Sequence, residues 1–193
     1  MQARTIPHRE RWRCQSQSLF ELLEITNKFN VSEADALKME RYFLVAHLSV
    51  ERLLAEWRWL CPTPMNLVAR NAFGDLFLRD EAGKIFKLDV SVGQIDQIAE
   101  SEKAFRELAF ATEHRKRWFC EDNEMAAFEH GLKPDASQCI AFRIPLQFAQ
   151  SGTPDNLYVT DLYEHVSFLG DLNRQTSEMP DGTKVRLRVQ KPD

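Results

Sequence analysis

The chain has 193 residues, 44% of them hydrophobic and 28% charged, with a formal net charge of −4. That length can bury a proper core, and the composition lies far from the polar, aromatic-poor profile of disorder. The charge balance excludes a net pull toward nucleic acid or an anionic membrane. The longest apolar stretch, Tyr42 to Ala46, is far too short to span a bilayer.

Residues 1–16 mix Arg, Gln and Ser without apolar periodicity and predict a flexible tail. The arginine-rich start is not followed by an apolar signal region, so a cytoplasmic protein is expected. Residues 17–193 are expected to form a single α+β domain, helical over 17–62 and sheet-containing over 63–193. Ser18 with Glu21 makes a capping box ahead of Leu19, Leu22, Leu23 and Ile25. Asn30-Val31-Ser32 predicts a stop and a new cap for a helix through Leu37 and Phe43. A third helix starts at Ser49 and carries Leu53, Leu54 and Trp57, and Cys61-Pro62-Thr63-Pro64 ends the helical block.

From Met65 the apolar period becomes strand-like. Leu67-Val68-Ala69 predicts one strand. Leu76-Phe77-Leu78 and Ile85 to Leu88 flank Asp80-Glu81-Ala82-Gly83 as a hairpin, with Gly83 free to take the positive φ of the turn. Ser91 to Gln94 predicts another turn, and Ile95 with Ile98 a further strand. Ser101 caps a helix through Phe105 and Leu108 toward Trp118, and a shorter helix around Met125 to Phe128 ends at Gly131. Cys139 to Phe142 and Tyr158-Val159 predict strands. Asp161 and Glu164 box the start of a helix carrying Leu162, Val166 and Leu169. Pro180-Asp181-Gly182-Thr183 predicts a turn into a closing strand, Val185 to Val189.

Helices gathered first and strands with interspersed helices afterwards predict an α+β fold, an antiparallel or mixed sheet with helices packed on one face. Leu76, Leu78, Phe86, Leu88, Phe105, Leu108, Phe142 and Val185 are the expected core.

Chemical motifs are sparse. Seven scattered glycines supply no phosphate-cradling loop, and no CxxC or HExxH is present, so neither a cofactor nor a metal is expected. Cys14, Cys61, Cys120 and Cys139 are widely spaced and read as reduced thiols. Cys139, His165 and Asp161 could be assembled into a nucleophilic site, but an apolar strand and a helix boundary account for the Cys and the His. The run His114-Arg115-Lys116-Arg117 beside Trp118 and Phe119 has the ingredients of single-strand binding. A helix end whose cations satisfy the dipole explains the same residues more simply.

Two stretches carry a family resemblance. Asn71-Ala72-Phe73-Gly74-Asp75-Leu76-Phe77-Leu78 with Gly83-Lys84-Ile85-Phe86-Lys87-Leu88-Asp89 and Gly93 resembles the C-terminal domain of the Tdi-type immunity proteins of type VI secretion systems. The second stretch includes Asp155 to Val159, Tyr163 to Gly170 and Pro180-Asp181-Gly182-Thr183, and it is similar to an extension found after that domain. The resemblance covers roughly residues 50–190. It implies Phe73 as core, Gly74 as a backbone position without a side chain and Asp75 as a hydrogen-bonding turn residue, with Gly83, Pro180, Asp181 and Gly182 as further structural positions. No catalytic residue is implied.

The implied role is inhibition: a protein-binding module that neutralises a bacterial toxin of the nuclease type, with a toxin or other bacterial protein as partner. A nuclease cleft is shaped for a polyanion, and an acidic surface imitates the substrate and steers encounter. Asp80, Glu81, Asp89, Asp96, Glu100 and Glu102 fall in the hairpin and its exits and are the candidate partner-binding residues. The alternatives are a nucleic-acid-binding accessory protein using the basic runs near Arg115 and Arg186, and an enzyme centred on His165 and Cys139.

Overall fold

Leu76, Phe77 and Leu78 are apolar without interruption, and successive strand side chains point to opposite faces. A strand of this kind needs cover on both sides. The computed structural model describes residue 32 and residues 39–148, 156–180 and 182–186. It supplies that cover.

Four strands form an antiparallel meander in the order β1-β2-β3-β4: β1 Asn66–Arg70, β2 Leu76–Arg79, β3 Ile85–Asp89 and β4 Gln94–Ala99. The expected hairpin is present, with Leu76 opposite Leu88, Leu78 opposite Phe86, and Gly83 at φ +86°. On one face Leu76, Leu78 and Leu88 pack against Leu53 of a short helix α1 (Val50–Leu53) and against Trp57 of the 3-10 turn Ala55–Trp57. Leu162, Val166 and Leu169 of the long helix that follows the sixth strand complete this cluster. On the other face Phe77 and Ile85 meet Phe105, Ala109, Trp118 and Phe119. The fold is α+β with an antiparallel sheet, as expected. Helices cover both of its faces where one was expected, because β2 is apolar on both.

The single helix expected from Ser101 toward Trp118 is two, α2 (Glu102–Ala109) and α3 (Thr112–Trp118), separated at Ala111 by an extended residue (φ −69°, ψ 134°). A straight helix would rotate Trp118 by roughly 220° from Phe105. The break lets both rings enter one core, with their centroids 5.8 Å apart. Helix α4 (Glu121–Glu129) follows and gives way to Gly131 at φ +80°.

Strands β5 (Gln138–Phe142) and β6 (Leu157–Asp161) pair antiparallel as a second sheet, tied to the first region where Ile140 N donates to Ala72 O at 2.8 Å. Helix α5 (Leu162–Thr176) then returns over the first sheet. The expected caps are formed: Ser49 accepts from Arg52 N at 3.3 Å, Ser101 from Ala104 N at 3.2 Å and Asp161 from Glu164 N at 3.0 Å.

Four expected core residues lie elsewhere. Leu108 is 38% exposed, since Phe105 and Ala109 define the inward line of α2 and Leu108 falls beside it. Val185 is 37% exposed and pairs in no strand among the described residues, lying on an open groove with Trp59 and Val92. Phe86 and Phe142 are half-buried: Phe86 stands opposite exposed Gln97, and Phe142 stacks on Phe73 at 6.1 Å over the smaller sheet. The tail 1–16, the helices before Met39, Asp181 and residues 187–189 of the closing strand lie outside the described residues. Among the described residues no helix is long and apolar enough to cross a membrane.

Candidate functional site

The segment between β1 and β2 folds on the side chain of Asn71. Its Oδ1 accepts from Phe73 N at 2.9 Å and Asp75 N at 3.0 Å, which curls the backbone so that Gly74 sits at φ +91°. A Cβ at Gly74 would lie 3.1 Å from His165 Cδ2, so the close approach as well as the φ calls for glycine. Phe73 is buried against Ala127 and Ile140.

Asp75 does more than shape a turn. Its buried carboxylate accepts from Asn71 Nδ2 at 2.9 Å, Val90 N at 3.1 Å and Lys87 Nζ at 2.8 Å, and Lys87 also reaches Asp89 at 2.9 Å. Burial pushes the Asp75 carboxyl up, against the pull of the Lys87 ammonium. Burial opposes the charge of Lys87 too, but Asp75 and Asp89 outweigh it and hold the ammonium above its ordinary range. The β1–β2 junction and β3 with its exit therefore meet at one ion pair beneath the β3–β4 face.

Above that pair lies an open groove of about 690 Å³. Lys87, Asp89, Asp96 and Ile98 line its sheet side, and His114, Arg117 and Trp118 of α3 line the other. His114 stacks on Trp118 with centroids 4.1 Å apart, which fixes that wall.

The six candidate acids fall into two groups, and the structure does not bring all six together. Asp89 and Asp96 belong to the groove. Asp89 also accepts from Ser91 N and Val92 N and so shapes the turn into β4. Asp96 is exposed and bonded by the Gln94 amide at 2.9 Å. Asp80, Glu81, Glu100 and Glu102 gather at the other end of the strands. There Asp80 closes the turn by accepting from Lys84 N at 2.8 Å, and Glu102 pairs with Arg79 at 2.9 Å and Arg106 at 3.4 Å. Glu100 is 3.8 Å from Lys84, while Glu81 is exposed at the tip. Of the remaining structural positions, Gly182 takes φ +81° and Pro180 O accepts from Thr183 N at 3.1 Å.

Several groups named by the other two readings have structural roles. Burial pushes the Cys139 thiol up to about 12, the direction opposite to that of an activated nucleophile. Cys61, Cys120 and Cys139 are all unpaired. In the basic run, Arg115 pairs with Glu121 at 3.4 Å and Lys116 with Asp122 at 3.0 Å, so α4 neutralises much of what α3 carries.

His165 is buried beside Gly74, and burial lowers its pKa from 6.5 to about 4, against the opposing effect of a hydrogen bond with the Phe73 backbone. A depressed histidine favours the folded state fully above the unfolded value. Between pH 6.5 and 4 the unfolded chain binds a proton that the folded chain does not, so stability falls with pH, by about 3 kcal/mol at the lower limit. Urea midpoints measured across that window should show this slope in the native chain and lose it in His165→Gln. An equal slope in both would place the acid sensitivity elsewhere.

No family model matches the chain, and no curated protein matches it.

Proposed function

We propose that the chain is a cytoplasmic protein-binding module of the immunity type, which neutralises a bacterial nuclease-type toxin by direct binding. The observation that carries this reading is the groove beside β3 and β4, where Asp89 and Asp96 stand on strands anchored by the buried Asp75–Lys87 pair. A surface held in place before binding loses little entropy on association, and carboxylates on it complement a cleft built for phosphates. The residues behind the family resemblance support the same reading, since Asn71 to Asp75 and the β2–β3 hairpin form the junction on which this face is built. The internal pairing of Arg115 and Lys116 weighs against nucleic acid as the partner.

Affinity capture of the tagged protein from the organism that encodes it, followed by titration against any co-purifying toxin, tests the proposal. One toxin bound at nanomolar affinity or tighter, with its activity suppressed, is the expected result. Recovery of nucleic acid, or of no protein whose activity is suppressed, removes it.

A further inference from the structure

We infer that the outer edge of β4 is a docking strand whose occupant is an extended segment of the partner protein, alternating basic and apolar side chains. The inference rests on the protein-binding reading above and names the surface and the chemistry it selects. In the order β1-β2-β3-β4, the strand β4 pairs on one side only among the described residues. Among the described residues, none from Gln94 to Ile98 makes a backbone hydrogen bond outside the ladder with β3. About half of the N–H and C=O groups of such a strand face outward, and they form a template for adding another strand. Lysine and proline commonly guard such edges, and β4 contains neither. Its one irregularity is the bulge at Ile98.

Charge selects the occupant. Side chains of an added strand stand beside those of β4 on the same face. On the groove face that neighbour is Asp96. The Lys87 opposite it is drawn down onto Asp75 and Asp89, and among the described residues no cation lies within ion-pair distance of Asp96. A basic side chain fits there, on the β4 side of the groove and away from Arg117 on the α3 wall. The adjacent Ile95 points to the opposite face, where it packs against the core with Leu88, and it calls for an apolar neighbour. The two consecutive positions of the occupant beside Ile95 and Asp96 are therefore apolar and basic.

Screening the full chain against a displayed library of random peptides of about eight residues tests this without a known partner. The expected winners alternate Arg or Lys with Val, Ile or Leu, bind Asp96→Lys about tenfold more weakly, and slow amide exchange from Gln94 to Ile98 when bound. Among the described residues Asp96 is exposed and bonded only to the Gln94 side chain, so the variant keeps the fold. No enrichment, enrichment without alternation, or undiminished binding by Asp96→Lys overturns the inference. A concentration-dependent dimer with protected β4 amides also overturns it, by seating a second copy on the edge. Alternating peptides that bind while no toxin is neutralised would keep the docking strand and remove the toxin reading. Toxin neutralisation undiminished by Asp96→Lys would do the reverse.

Discussion

Replacing Asp75 by Ala should lower the unfolding free energy by about 3–5 kcal/mol, measured by urea denaturation at neutral pH. The substitution removes the more buried of the carboxylates that the Lys87 ammonium reaches, with Asp89 remaining at 2.9 Å, and leaves the buried Val90 N–H without its acceptor. Lys87→Met should cost a similar amount, because it leaves the Asp75 carboxylate buried without its cation. The double variant should cost less than the sum of the two, since neither charge then remains to be compensated. A loss below about 1 kcal/mol for Asp75→Ala would mean that the pair is solvated, and the anchored β3–β4 face would lose its basis.

The second large effect belongs to Trp57, which is completely buried under the first sheet. Its indole N–H donates to Val166 O at 2.9 Å, and α5 approaches so closely that a Cβ on Gly170 would stand 2.9 Å from Trp57 Nε1. Trp57→Ala should destabilise by about 3–5 kcal/mol, combining lost burial with the cavity left beneath α5. Trp57→Phe keeps most of the volume and should cost distinctly less. Equal losses for both would assign the effect to the indole hydrogen bond and not to packing.

What could be read from the sequence was what neighbouring residues decide. The Asp80 to Gly83 turn and the caps at Ser49, Ser101 and Asp161 rest on interactions across two to four positions, and all four are formed. The break between α2 and α3 has no local signal, because Phe110 and Ala111 are compatible with a helix. It is imposed by the need to bring Phe105 and Trp118 to one core. Cover on both faces was written in Leu76-Phe77-Leu78, an unbroken apolar run that is the signal of a doubly buried strand.

The candidate site was legible only in part. Asp89 and Asp96 do lie together on the groove, but Asp80 and Glu102 are taken up by Lys84 N and Arg79 at the far end. Sequence distance gave no means of separating them, since strand direction decides which end each occupies. Lys87 carries no local signal of its role, which appears only when β2 and β3 place it over Asp75. Glu124 is hidden for the same reason: Tyr42 and Arg41, which bind its carboxylate, are more than eighty positions away. The Asn71 junction had a usable local signal, a short amide side chain three positions before a glycine that needs positive φ.

The most direct measurement is growth of cells expressing the candidate toxin, with and without this chain, alongside its Asp96→Lys variant. Rescue by the native chain and clearly weaker rescue by an equally abundant, folded variant is the result predicted for an immunity module that works through the β3–β4 face. Absence of rescue by the native chain at any expression level would contradict it.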